Sequence, residues 1–225
     1  MTVRACLVDV YDTILSDNFR ARVGALTAFA GADFDRWLDA WDKSLDDRGR
    51  GKLTLADAFT QTLLACGIEP APGLVCELVR RDVELLRDGS HVYDDTAPFF
   101  AELRARGIAS ALVSNCSEST RPMLEQRGLT QLADSVILSF EVGSVKPSPE
   151  IYLSALEDLG IAPADAVMID DQARFCAGAE AVGVRAIQIA RANLARPVAN
   201  SGSTVANSGF PVVRTLPDAL ALLGG

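Results

Sequence analysis

At 225 residues with 49% hydrophobic content, the chain is long enough to bury one sizeable core and a small accessory unit. Arg, Asp or Glu interrupts every apolar stretch before it reaches membrane-spanning length, and a net charge of −9 argues against a nucleic-acid partner. Five scattered cysteines (Cys6, Cys66, Cys76, Cys116, Cys176) without C-x-x-C spacing, and a first segment that reads as a strand rather than a secretory signal, lead us to expect a cytoplasmic protein with reduced thiols.

The chain begins with Val3-Arg4-Ala5-Cys6-Leu7-Val8-Asp9, a mostly apolar run that stops at a carboxylate. Such a run predicts a buried parallel strand delivering Asp9 to the carboxyl edge of a sheet, where open α/β folds bind ligands. From about Phe19 to Asp88 no strand pattern occurs. Trp37, Leu38, Trp41 and Leu45 share one helical face, and Thr54 opens a helix carrying Leu55, Phe59 and Leu63. Pro72 and Gly73 precede a third stripe of Val75, Val79, Val83 and Leu86. The expectation is a small helical bundle over 16–88, inserted after the first strand of a core made of 1–15 and 89–225.

Alternation then resumes. A helix over Thr96–Arg106 stops at Gly107 and the strand Ile108–Val113 follows. A helix ending at Gly128 precedes the strand Ser135–Leu138, and a helix starting at Ser148-Pro149 and ending at Gly160 precedes Ala166–Ile169. A helix to Gly183 leads to Arg185–Ile189. Glycine just past each helix supplies the left-handed exit that a βα repeat needs. Parallel strands with right-handed crossovers then give a three-layer, Rossmann-like α/β sandwich. After Ala192 a polar stretch carries a tandem repeat, Val198–Gly202 and Val205–Gly209, which reads as a duplicated surface loop. Val212-Val213 and a helix with Leu216, Leu220 and Leu223 close the core.

The strand ends carry the polar residues: Asp9 with Thr13 four residues on, then Ser114-Asn115, then Asp170-Asp171, with Lys146-Pro147 just ahead of a helix. In this order they resemble the haloacid dehalogenase-like hydrolase superfamily, whose motifs are Asp-x-x-x-Thr, a Ser or Thr after strand two, a Lys-Pro and a late acidic pair. The segment Glu141–Tyr152 is similar to the third motif through most of its length. The resemblance implies Asp9 as nucleophile, with Ser114, Asn115 and Thr13 orienting the group under attack and Lys146 balancing charge. It also implies Mg²⁺ held by Asp9, Asp171 and the backbone carbonyl of Tyr11, and a small-molecule substrate rather than a nucleic acid or a membrane. Phosphoryl transfer depends mainly on positioning and charge neutralisation, which such a set supplies.

Two departures bear on the reaction. The family's phosphatases carry a second aspartate where this chain has Tyr11, and a phenol with an ordinary pKa of about 10 is a poor general base. Asp12 is expected to point away from the site in an extended segment. Phe175 stands where many relatives have an acidic or amide residue. Haloacid dehalogenases also place Tyr at the Tyr11 position, because halide leaves without a proton, and a weakened domain with a binding role is a third reading. Crowding of Asp9, Asp12, Asp170 and Asp171 near one lysine favours the metal-dependent phosphatase. The single histidine, His91, makes His-rich zinc chemistry or a Ser-His-Asp mechanism a poor fit.

Overall fold

The computed structural model describes residues 2–191 and 209–224. The duplicated loop expected at 198–209 therefore lies outside the described residues, save Gly209. The chain runs through strand β1 (Ala5–Val8), a two-residue strand β2 (Leu15–Ser16) and five helices: α1 (Phe19–Ala30), α2 (Phe34–Lys43), α3 (Leu45–Gly49), α4 (Leu55–Ala65) and α5 (Pro72–Gly89). Next come β3 (His91–Val92), α6 (Thr96–Ala105), β4 (Ala109–Ser114), α7 (Thr120–Gln126), β5 (Ser135–Leu138) and α8 (Ser139–Val142). Then follow α9 (Pro149–Leu159), β6 (Ala166–Asp170), α10 (Ala173–Ala181), β7 (Arg185–Ile189), β8 (Val212–Val213) and α11 (Leu216–Leu222).

Six strands form one parallel sheet in the order β5-β4-β1-β6-β7-β8, with Ala5 in register with both Ala109 and Ala166. Strand β1 is buried throughout because its alternating side chains feed two different cores. Cys6 and Val8 join Phe99, Phe100, Leu103 and Leu216 on one face. Ala5 and Leu7 join Ile151, Tyr152 and Ala155 on the other. These are the three layers that the sequence pattern anticipates. Helix α9 begins with Pro149 in its first turn and ends at Gly160 in a left-handed conformation. Ser148 holds the position before it but makes no side-chain capping bond.

Helices α1–α5 pack around their own core of Trp37, Trp41, Phe59, Leu63 and Leu78, with the Trp41 and Phe59 rings stacked at 4.9 Å. Thr54 caps α4 by accepting a hydrogen bond from the Asp57 amide at 3.1 Å. Two expectations need correction. Leu45 leaves the tryptophan face: the chain turns at Ser44, starts α3, and exposes 62% of Leu45. The hidden stripe of α5 is Val75, Leu78, Asp82 and Leu86, while Val79 and Val83 are half-buried. A strict four-residue spacing drifts around a 3.6-residue helix, and the buried line includes a carboxylate that an apolar pattern skips. One element was not anticipated. β2 and β3 pair antiparallel, Leu15 with Val92 and Ser16 with His91, so the two passages between sheet and helical insert are tied together. Two residues are too few to show a period.

Candidate active site

Asp9, Ser114 and Asp170 come from three neighbouring strands, because β4, β1 and β6 lie side by side and end at the same edge. The Asp9 amide extends the ladder by donating to the Ile169 carbonyl at 2.9 Å, which brings Asp9 level with Asp170. Lys146 enters from the segment after α8 and joins them. Its Nζ donates to Asp9 Oδ1 at 2.6 Å and to Asp170 Oδ2 at 2.6 Å, and both contacts are buried. Asp170 also accepts from the Gln172 amide at 2.8 Å through Oδ1, so both of its oxygens are engaged.

Asn115 fixes the lysine from behind. Its Oδ1 accepts from the Lys146 amide at 2.7 Å and its Nδ2 donates to the Lys146 carbonyl at 2.9 Å. The Lys146-Pro147 peptide is cis. Phe175, the second departure, is buried with its ring 5.0 Å from the Lys146 ammonium, and its carbonyl accepts from the Tyr152 hydroxyl at 2.8 Å. The aromatic face thus meets the cation instead of extending an acidic shell.

The electrostatics are unbalanced. Asp9, Asp170 and Asp171 each offer an oxygen within 4.8 Å of the others, against one ammonium. Burial raises Asp9 above the ordinary carboxylate range, Asp170 adds to the rise, and Lys146 opposes it. Asp171 is raised by burial and by Asp9, Asp170 and Asp12. Burial alone would lower Lys146, but Asp170 and Asp9 overcome it and hold the lysine above its usual value. The donor set fits a hard divalent cation: carboxylates from Asp9 and Asp171, and a Tyr11 carbonyl on which no hydrogen bond ends among the described residues.

Two hydroxyls complete the edge. Thr13 Oγ1 and Ser114 Oγ are fully buried without a hydrogen-bond partner. Buried polar atoms rarely stay unpaired, so both fit a role against a bound group. Tyr11 turns its phenol away to Thr120 Oγ1 at 2.7 Å, and burial pushes its pKa up, so it stays neutral. Asp12 is not in an extended segment, contrary to the sequence expectation. It has φ 58 and is 7% exposed, and its charge reaches Asp171 and Tyr93. A tight turn forces this conformation, with the Asp12 amide donating to Leu15 O at 2.6 Å, and Asp tolerates positive φ better than most residues.

Arg191 also holds this edge, and nothing in the sequence marks it. It donates to the Thr13 carbonyl at 3.1 and 2.7 Å and forks onto Asp95 at 2.7 and 2.9 Å, pinning the loop that follows Asp9. No local pattern links positions 178 residues apart. The sequence places Asp170 in an acidic pair and in the crowding around one lysine, without setting its role apart from that of Asp171. The strand register beside β1 is the signal that separates it from Asp171.

A family model described as haloacid dehalogenase-like hydrolase matches residues 3–183. The chain belongs to that family. Its sequence is 37% identical over 204 residues to a phosphoserine phosphatase of Thermus thermophilus, covering 84% of this chain and 82% of the relative. An (S)-2-haloacid dehalogenase 4A of Burkholderia cepacia is 27% identical over 199 residues, covering 84% of each chain. The crystal structure of a HAD phosphatase from Thermococcus onnurineus superposes with a TM-score of 0.67 at 25% identity, over 99% of both chains. This hydrolase therefore has relatives named for both chemistries weighed from its sequence.

Proposed function

We propose that this hydrolase cleaves phosphate monoesters of small molecules with Mg²⁺, using Asp9 as nucleophile, and that residues 16–88 act as a cap over the site. The observation that carries the reading is the charge balance at Lys146, where three carboxylates face one ammonium. A site left in that state repels any anionic substrate, and a divalent cation corrects it. Residues Asp9, Asp171 and the Tyr11 carbonyl would hold Mg²⁺, which when bound supplies positive charge to the phosphoryl oxygens.

The chain's own groups cover the remaining tasks. Lys146 steers one Asp9 oxygen, and Asn115 keeps the lysine backbone in place. Ser114 and Thr13 donate their unpaired hydroxyls to the phosphoryl group. The free Asp9 oxygen attacks phosphorus, the phosphorus–oxygen bond to the leaving group breaks, and its electron pair stays with the leaving oxygen. That oxygen takes a proton from water, since the Tyr11 phenol is tied to Thr120. A second water attacks the phosphorus of the aspartyl phosphate, giving up its proton to solvent, and releases phosphate with Asp9 restored. All five cysteines are free, in keeping with a reducing, cytoplasmic setting.

The second reading is a metal-free 2-haloacid dehalogenase. Tyr11 and the Burkholderia cepacia relative favour it, because carbon–halogen displacement needs no general acid. One screen decides: phosphate esters, acyl phosphates and 2-haloacids, each with and without Mg²⁺. The expected result is Mg²⁺-dependent phosphate release, with a rise in melting temperature at millimolar Mg²⁺ that Asp171→Ala abolishes. Metal-independent halide release from a 2-haloacid, with no phosphate ester turned over, would overturn the proposal in favour of the second reading.

A further inference from the structure

Arg191 stands two residues past β7, at the edge where β1 and β6 deliver Asp9 and Asp170, and only 7% of its side chain is exposed. Four of its five N–H groups are engaged: Nε and Nη2 donate to the Thr13 carbonyl, and Nη1 and Nη2 fork onto Asp95. Its guanidinium also lies 4.2 Å from the centre of the Tyr93 ring. Among the described residues no other donor reaches the Thr13 carbonyl. Asp95 is committed just as fully. It holds the position before α6, where an aspartate ordinarily accepts from its own helix, yet it makes no capping bond. Its oxygens go instead to Arg191 and to the Leu216 amide at 3.0 Å, at the start of α11. A fork of this kind, drawn out of water, fixes geometry in a way that an exposed ion pair does not.

The turn that Arg191 grips is the one that follows Asp9. Within it, the Ile14 and Leu15 amides both donate to the Val10 carbonyl, and the Asp12 amide donates to the Leu15 carbonyl. These bonds close the turn on itself, and none of them ends on Thr13. The Thr13 hydroxyl is fully buried without a partner, so no contact of its own aims it. Threonine is branched at Cβ, and its χ1 follows the backbone. Whatever fixes the Thr13 backbone therefore aims the hydroxyl. Ile14, the next residue, is fastened by the chain returning from the helical insert. Its carbonyl accepts from the Tyr93 amide at 3.1 Å and from the Thr96 hydroxyl at 2.8 Å. Asp95 lies between these two donors in sequence, so the returning chain and the turn are bound at two successive carbonyls, one of them through Arg191.

We propose that Arg191, held by Asp95, is a positioning residue for the hydrolysis and acts through Thr13, setting the turn so that the Thr13 hydroxyl meets the group that Asp9 attacks. The assignment rests on Asp9 as nucleophile and adds to it a residue from outside the motifs. It is independent of the leaving group, because the same attack opens cleavage of a phosphate ester and of a carbon–halogen bond. A guanidinium suits the task, since one planar fork spans a carbonyl and a carboxylate at once. An ammonium on a flexible stem donates as a point charge and holds one or the other. Loss of the fork leaves the sheet and the internal bonds of the turn in place. The damage therefore falls on alignment, where a displacement of about an ångström can cost roughly a hundredfold in rate.

The test is a double-mutant cycle on kcat, read with para-nitrophenyl phosphate and Mg²⁺, or with 2-chloropropionate where no phosphate is released. Arg191→Gln and Thr13→Val should each lower kcat at least roughly tenfold, with KM changed by less than about threefold. The double variant should match the slower single variant to within about threefold, because both changes remove the same alignment. Arg191→Lys keeps the charge beside Asp95 without the fork, so its melting temperature should recover towards the wild type while its kcat stays low. Should Arg191→Gln fail to fold, the cycle is run with Arg191→Lys in its place. Losses that multiply in the double variant would show that Arg191 acts independently of Thr13, and would overturn the proposal. A folded Arg191 variant with kcat within about threefold of the wild type would overturn it as well. So would recovery of rate and stability together in Arg191→Lys, the mark of a purely structural pair. Halide release without phosphate release overturns the phosphatase reading alone, and the cycle on the haloacid then decides for or against Arg191. Turnover of neither substrate by the wild type overturns the Asp9 assignment, and this one falls with it.

Discussion

The sheet edge and the helical insert both bury charge, and they balance it in different ways. At the edge, one ammonium faces Asp9, Asp170 and Asp171, an excess of negative charge within 4.8 Å. In the insert, Arg22 faces Asp17 and Asp82, and Arg48 makes no salt bridge among the described residues. The edge carries an excess of carboxylates over its one lysine, while in the insert Arg22 and Arg48 match Asp17 and Asp82 in number. The sheet edge gathers the groups assigned above to the proposed bond making, while the insert holds Arg22 between two carboxylates of its own.

The largest effect expected from this division is on rate. Asp9→Asn keeps the shape of the side chain and removes the nucleophile, so turnover of para-nitrophenyl phosphate should drop at least roughly a thousandfold. Melting should show a folded protein, because the amide can still accept from Lys146. Near-wild-type turnover by a folded Asp9→Asn protein would remove the sheet edge from the chemistry and with it the contrast drawn above.

The two regions also differ in how far their sequence discloses them. Asp9, Ser114 and Asp170 sit at strand ends, and a parallel sheet aligns strand ends by construction, so a local pattern finds them. Register does the rest: Val8 opposite Ile169 sets Asp9 beside Asp170. The insert offers no such alignment. Arg22 and Asp82 meet across 60 residues from two helices whose crossing no periodicity foretells. Asp82 breaks the apolar stripe of α5, and Leu45 extends that of α2 only on paper, since the chain turns at Ser44. Arg191 belongs to the sheet domain and was equally hidden, because its target is a backbone carbonyl, which carries no residue identity. What stayed illegible in both regions is the choice of long-range polar partner.

The next prediction separates the regions by stability. Asp82→Ala deletes the fully buried acid that holds Arg22 and should destabilise the protein by about 3 kcal/mol in urea unfolding, the usual loss when one partner of a buried pair is removed. The rise in melting temperature on adding Mg²⁺ should persist, because the metal-binding oxygens belong to the sheet edge. Loss of the Mg²⁺ response together with stability would show that insert and edge act as one electrostatic unit, and would break the comparison.

The smallest effect concerns Tyr11, which touches both regions: it follows Asp9 along the chain, and its ring sits within reach of Arg22. Its phenol is bound to Thr120 at 2.7 Å and held neutral by burial, so it neither donates a proton to a leaving oxygen nor takes one from water. Wild-type hydrolysis should then depend steeply on leaving-group pKa, with acyl and aryl phosphates fast and alkyl phosphates slow. Tyr11→Asp places a carboxylic acid at the same point of the loop and gives up the Thr120 bond. The rate for ethyl phosphate should rise at least roughly tenfold relative to para-nitrophenyl phosphate, because only the poor leaving group gains from a proton. The ratio of the two rates reads this even if the variant is less stable. A flat leaving-group dependence in the wild type would point to another acid already in place. Asp12 is the group best placed for that role, since its turn at positive φ brings its charge to bear on Asp171 instead of carrying it away.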